Sequence, residues 1–179
     1  IFINVPGAKI FFALFKTTIL YLYIMQHFFL QVNQHKNSVA IVSEDSEYTY
    51  SDLLDASAQI AAFLLKDNKD LQEKRVAFMV SPGFDYVKTQ WAIWRAGGIA
   101  VPLCLSHPLP SLQYVIEDTG ASIIIVSPTY ETLLKNLAAE KNIRFIVQNE
   151  TIQAEETALP VITASRRAMI LYTSGTTNL

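Results

Sequence analysis

Apolar positions along the chain alternate between short unbroken runs and longer stretches in which they recur every three or four residues. Val39 to Val42 and Tyr48 to Tyr50 are short β-rich runs, and Ser43-Glu44-Asp45-Ser46 between them reads as a hairpin turn. Thr49 with Asp52 three residues on marks a helix start. Leu53, Ile60, Ala61 and Leu64 then share one face as far as Leu65, and the polar stretch Lys66 to Lys74 ends that helix. A regular alternation follows. Arg75 to Val80 is an apolar strand closed by Ser81-Pro82-Gly83. Phe84 to Ala96 is a helix with Tyr86, Val87, Gln90, Trp91 and Trp94 at helical spacing, stopped by Gly97-Gly98. Ile99 to Leu103, Ser122 to Val126 and Ile143 to Val147 are further strands. Between them lie helices over Ser111 to Thr119, with Leu112, Val115 and Ile116 inward and Gly120 as cap, and over Pro128 to Ala139.

Strands that are apolar throughout and alternate with helices predict the α/β class, a parallel sheet flanked by helices on both faces with right-handed crossovers. Gln148 to Arg167 is polar and reads as a linker or an excursion from the sheet. The pattern then resumes at Ala168 to Tyr172, an apolar run of strand character. There is no internal repeat or low-complexity tract.

Composition narrows this picture. Half of the 179 residues are apolar and 17% are charged, enough to bury a sizeable core and too apolar for a disordered chain. A formal charge of −2 provides no basic surface, so nucleic acid is not an expected partner. Cys104 is the only cysteine, which excludes an internal disulfide and fits a reducing compartment. Its place just after an apolar strand predicts core packing rather than a nucleophile.

The first residues fit none of this order. From Ile10 to Leu30 the chain is strongly apolar, yet Lys16 interrupts the run and Gln26 and His27 follow. A spanning helix needs about 20 unbroken apolar residues. No signal-peptide cleavage site follows the run, and no arginine marks a transit peptide. We expect residues 1–24 to be an apolar extension, non-native or at most a weak anchor, with Met25 a natural start and 25–179 the folded unit. A membrane partner is not expected.

The candidate chemistry lies in the tail. Behind Ala168 to Tyr172 stands Thr173-Ser174-Gly175-Thr176-Thr177, a hydroxyl-and-glycine loop. Hydroxyls and backbone N–H groups converge on phosphate oxygens in such loops, and a glycine lets the backbone come close. An ordinary turn has the same composition, but the strand ahead of the loop supplies the context a phosphate site needs. Other features read as structure. Trp91 and Trp94 lie on an amphipathic helix and belong to the core. Gly97-Gly98 ends a helix where a dinucleotide motif would begin one. His27 and His35 have no partners at metal-ligand spacing, and His107 sits in a shaped turn. Asp85, Glu117 and Asp118 read as solvated helix charges.

Tyr172-Thr173-Ser174-Gly175-Thr176-Thr177 resembles the phosphate-loop signature of the adenylate-forming (AMP-binding) superfamily, which holds acyl-CoA synthetases, luciferases and peptide-synthetase adenylation domains. That signature continues Gly-x-Pro-Lys-Gly, and here Asn178 stands where the next glycine is usual. Asn tolerates left-handed backbone angles, so the turn survives the change. Tyr48-Thr49-Tyr50-Ser51-Asp52-Leu53 resembles the family's opening Thr-Tyr-x-Glu-Leu. Trp94-Arg95-Ala96-Gly97-Gly98-Ile99-Ala100-Val101-Pro102-Leu103 is similar to its second landmark. Together with Trp91-Ala92, Ser106-His107-Pro108 and Tyr114-Val115-Ile116, these look most like the malonyl-CoA and methylmalonyl-CoA synthetase branch.

The resemblance implies the first part of the large N-terminal domain of an adenylate-forming enzyme, broken off within the phosphate loop. It implies a ligase that joins a carboxylic acid to AMP at the expense of ATP, with Mg²⁺, and passes the acyl group to coenzyme A. Thr173, Ser174, Gly175, Thr176 and Thr177 are then the nucleotide-binding residues. No catalytic or metal-binding residue falls within the 179, and these residues alone are expected to be inactive. The cytoplasm is the expected location, with the mitochondrial matrix or a weak membrane association as alternatives. Rival readings remain: another adenylating enzyme of the same superfamily, a small flavodoxin-like module that binds a nucleotide or other phosphorylated ligand without chemistry, and a membrane-associated protein that uses Ile10 to Leu30.

Overall fold

The computed structural model describes residues 29, 31–43, 46–148, 157–163 and 165–172. The apolar stretch from Ile10 to Ile24, Met25, His27 and the loop Thr173 to Thr177 lie outside the described residues.

Strands β1 (Val39–Val42) and β2 (Glu47–Thr49) form the expected antiparallel hairpin, closed where the Ser43 amide donates to the Ser46 carbonyl at 2.8 Å. Helix α1 (Tyr50–Leu65) begins where the sequence places it. The Asp52 amide donates to Thr49 Oγ1 at 3.2 Å while the Thr49 amide donates to Asp52 Oδ2 at 2.7 Å, a reciprocal capping box. Then come β3 (Arg75–Met79), α2 (Phe84–Arg95), β4 (Ile99–Pro102), α3 (Leu109–Thr119), β5 (Ile123–Val126), α4 (Glu131–Glu140) and β6 (Arg144–Val147). Helix α3 starts two residues earlier than expected, because Pro110 suits a first turn whose amides need no partner. A single 3₁₀ turn, Pro128–Tyr130, precedes α4.

β3 to β6 make one parallel sheet in the order β4-β3-β5-β6. The two faces separate by residue parity. Val76, Phe78 and Val80 join Ile60, Leu64, Ala92 and Ile93 of α1 and α2, whereas Ala77 and Met79 join Leu112, Ile116, Leu134 and Leu137 of α3 and α4. A third cluster, with Val32, Leu53 and Trp91 at its centre, seats the hairpin against α1 and α2. Tyr48 stacks on Phe84 with ring centroids 4.1 Å apart.

Two expectations change. On α2 the fully inward positions are Thr89, Trp91, Ala92 and Ile93; Gln90 is only half-buried, and its amide points toward Met169 Sδ at 3.9 Å. Cys104 is exposed, not core. β4 ends at Pro102 and Leu103 takes the last inward position, so the following side chain turns outward. The Ser106 hydroxyl, 3.3 Å from the thiol, holds its pKa below the usual range.

Candidate functional site

The segment that leads into Thr173 enters the sheet at its β4 edge. The Ala100 amide donates to the Ala168 carbonyl and the Ile170 amide to the Ala100 carbonyl, both at 2.9 Å, and Met169 pairs with Ala100 in parallel sense. Met169 packs on the α1/α2 side and Ile170 on the α3/α4 side, as alternation requires. The expected strand Ala168 to Tyr172 is thus a single bridge: Leu171 and Tyr172 take no part in the ladder. Parallel sense sends the chain toward the carboxyl ends of the strands, where ligands of open α/β sheets bind. The loop after β4, carrying Cys104, Ser106 and His107, lies at that end.

Tyr172 leaves the sheet edge and rests on α3. Its hydroxyl donates to Asp118 Oδ2, and its ring meets Tyr114 edge-on with centroids 6.2 Å apart. The bond to the Asp118 carboxylate, with some burial, pushes the Tyr172 pKa up to about 12. Asp118 is therefore engaged rather than merely solvated; Asp85 and Glu117 are surface partners of Lys88 and Lys141, at 2.6 and 2.7 Å.

Before the edge, the chain is held from below. Arg166 makes a fork on Asp70, with Nη1 to Oδ1 at 2.7 Å and Nη2 to Oδ2 at 2.6 Å. Arg167 grips Glu73 differently: Nη2 and Nε both donate to Oε2, at 2.6 and 3.1 Å, and the Arg167 amide donates to Oε1 at 2.8 Å. The Trp94 indole N–H donates to the Ala168 carbonyl at 2.7 Å. Hydrogen bonds from the arginines, more than any other cause, lower both carboxyl pKa values. The sign follows directly. The support these acids give is complete above the ordinary carboxylate range and fades only as pH falls through their depressed values.

Asp70 and Glu73 stand in the link between α1 and β3, which docks on the turn after α2. The Leu71 amide donates to the Ala96 carbonyl at 2.9 Å and the Glu73 amide to the Gly97 carbonyl at 2.8 Å. Gln72 and Glu73 adopt left-handed backbone angles, φ 51° and 61°. Gly97, at φ +80°, lies against the ion pair: a Cβ there would strike Asp70 Oδ1 and come 2.8 Å from Arg166 Nη1.

Neither the two arginine forks nor the Trp94–Ala168 bond is visible in the sequence pattern, since each joins positions more than 70 residues apart. The adjacent arginines ahead of the tail, and the acids in a link that otherwise only ends a helix, were the available signals. A cavity of about 560 Å³ lies elsewhere, between Phe29, Asn33 and Lys36, α1 and residues 159–162. Arg95 at its wall already donates to the Leu54 carbonyl and to Ser57 Oγ at 2.7 Å, and ties α2 to α1.

The profile of the AMP-binding enzyme family matches residues 28–179. The chain belongs to that family. Among curated AMP-binding enzymes it is 34% identical over 160 residues to the mitochondrial malonate–CoA ligase ACSF3 of Mus musculus, an overlap of 83% of this chain and 27% of that protein. The human protein of the same name is 33% identical over 150 residues, 78% of this chain and 26% of the relative. This chain therefore spans little more than a quarter of the length of these relatives. Among solved structures, the fold resembles O-succinylbenzoate coenzyme A synthetase of Bacillus subtilis in complex with AMP, with a TM-score of 0.70 at 22% identity over 83% of this chain and 39% of that one. MatB of Rhodopseudomonas palustris gives 0.67 at 23% identity, over 80% of this chain and 30% of that one. Membership in an AMP-binding enzyme family sets aside the free-standing flavodoxin-like module. Among the described residues, no helix is long and apolar enough to cross a membrane.

Proposed function

We propose that this chain is the amino-terminal part of an ATP-dependent acid–thiol ligase, with malonate or methylmalonate as the acid, and that residues 173–177 are its phosphate loop. The observation that carries this is the family match running through a stem whose parallel pairing on β4 heads toward the carboxyl end of the sheet. The named malonate–CoA ligases among its relatives support the acid, and those named mitochondrial favour the mitochondrial matrix over the cytoplasm.

In this reading the acid's carboxylate attacks the α-phosphate of ATP and pyrophosphate leaves. Coenzyme A then displaces AMP and yields the thioester. Negative charge grows on the departing pyrophosphate, and donors fixed around the β- and γ-phosphates stabilise that transition state. Thr173, Ser174, Thr176 and Thr177 serve as those hydroxyl and amide donors, and Gly175 lets the backbone approach. Among the described residues no group of three or more acidic, histidine or cysteine side chains could hold a metal.

ATP–pyrophosphate exchange by the longer polypeptide that carries this segment is the test. Malonate or methylmalonate should support exchange, and Ser174→Ala or Thr176→Val should each lower it roughly tenfold or more. Exchange with neither acid, or at an unaltered rate in both variants, would refute the proposal.

A further inference from the structure

We infer that Asp70 and Glu73, acting through Arg166 and Arg167, are positioning residues that set the register of the stem against β4 and so the placement of the phosphate loop. The inference rests on the loop reading above and extends it to residues outside the loop.

The stem's own hold on the sheet is slight. Among the described residues, one bridge and two backbone hydrogen bonds join it to Ala100. A slip by two residues would keep every side chain on its proper face, so alternation alone does not forbid it. Such a slip would carry Thr173 to Thr177 about 7 Å along the strand direction, far beyond the tolerance of hydrogen bonds to phosphate oxygens.

What forbids the slip lies immediately upstream. Arg166 and Arg167 are successive residues, and each forks onto a different acid of one link. A shifted chain could satisfy neither fork without breaking the other. The Arg167 amide on Glu73 and the Trp94 indole on Ala168 fix the backbone at the same level. The link is built to receive them: two consecutive non-glycine residues hold left-handed angles, and its amides are tied to the turn after α2. Backbone angles of that kind persist only where the surroundings enforce them. Gly97 leaves the space that the Asp70–Arg166 pair fills.

Hydrogen exchange reads the register without any nucleotide. In the 179-residue chain, Asp70→Asn with Glu73→Gln keeps the side-chain shapes and removes both charges. Protection of the Ile170 amide should fall about tenfold, while the Ala77 and Ile124 amides of β3 and β5 keep theirs. Glu73→Lys should weaken the same protection, and adding Arg167→Glu, which reverses the pair, should restore most of it. In the longer polypeptide the Asp70/Glu73 variant should raise KM for ATP roughly threefold to tenfold, with the thermal midpoint nearly unmoved, and the reversed pair should return KM toward its original value. Unchanged Ile170 protection, no restoration by the reversed pair, or lost protection with KM unaltered would each overturn the inference. If the unmodified polypeptide shows no exchange activity while protection still falls, the ligase reading fails and takes with it the purpose assigned here, although the register itself is set as described.

Discussion

At Gly97 one hydrogen stands where any other residue would drive a carbon into the Asp70–Arg166 pair. Gly97→Ala therefore meets two obstacles, a backbone at φ +80° and an occupied space. Together they should lower unfolding stability by about 1–3 kcal/mol, measured by denaturant titration. Gly120, by contrast, fills the left-handed cap of α3 that its sequence position announces, at φ 58°. Tyr172 offers a titration. Its folded pKa is raised above the usual value, so the stability it lends is complete below about pH 10 and is lost as pH rises through about 12. The tyrosinate absorbance that disappears in Tyr172→Phe should have its midpoint near 12; a midpoint near 10 would mean the Asp118 bond is not held in solution. At this scale the sequence was readable only where a residue's role is local. Trp91 reads correctly as core, whereas Trp94 is only partly buried against it, and its indole bond to Ala168 depends on chain 74 residues away. Cys104 reads as buried because the strand ahead of it is buried, yet the strand ends at Pro102 and the thiol faces solvent.

Elements were legible to the extent that their signals lie within them. Thr49 and Asp52 three residues apart sufficed to start α1, and the structure closes the reciprocal box between them. Thr49→Ala should cost about 1 kcal/mol in equilibrium unfolding. Loss of less than a few tenths would show that tertiary contacts, not the cap, fix that end. The strands β3 to β6 appear where apolar runs placed them, each trimmed by one residue, because a run buried on both faces tolerates no polar alternative. Ala168 to Tyr172 is equally apolar but, among the described residues, pairs only through Met169. An edge run has a partner on one side alone, and nothing in its composition says how far that pairing continues. Residues 173–177 behind it are proposed as the phosphate loop on motif and family alone.

At the scale of the molecule, the described residues complete the sheet on both faces but not at its β4 edge. α1 and α2 cover one face and α3 and α4 the other, so the apolar interior of β3 and β5 is sealed. At the edge the stem presents Leu171 at 66% exposure beside Tyr172 at 38% and Tyr114 at 61%. Unpaired backbone next to exposed apolar side chains is the arrangement through which strands recruit one another between chains. At the opposite edge Arg144 on β6 sends its guanidinium across to the Leu64 and Phe63 carbonyls of α1, both at 2.8 Å. The exposed apolar group at the stem predicts that the 179-residue chain self-associates there. Leu171→Lys puts a charge on the exposed edge without touching the core, the two arginine forks or Tyr172. Sedimentation velocity over a range of concentrations should then show a shift from oligomer toward monomer, with thermal unfolding unchanged. Persistence of the oligomer in Leu171→Lys, or a monomeric parent chain at the same concentrations, would place the association elsewhere or remove the need for it. A companion Arg144→Ala should have the reverse character, lowering stability through its lost carbonyl bonds while leaving association at the stem intact.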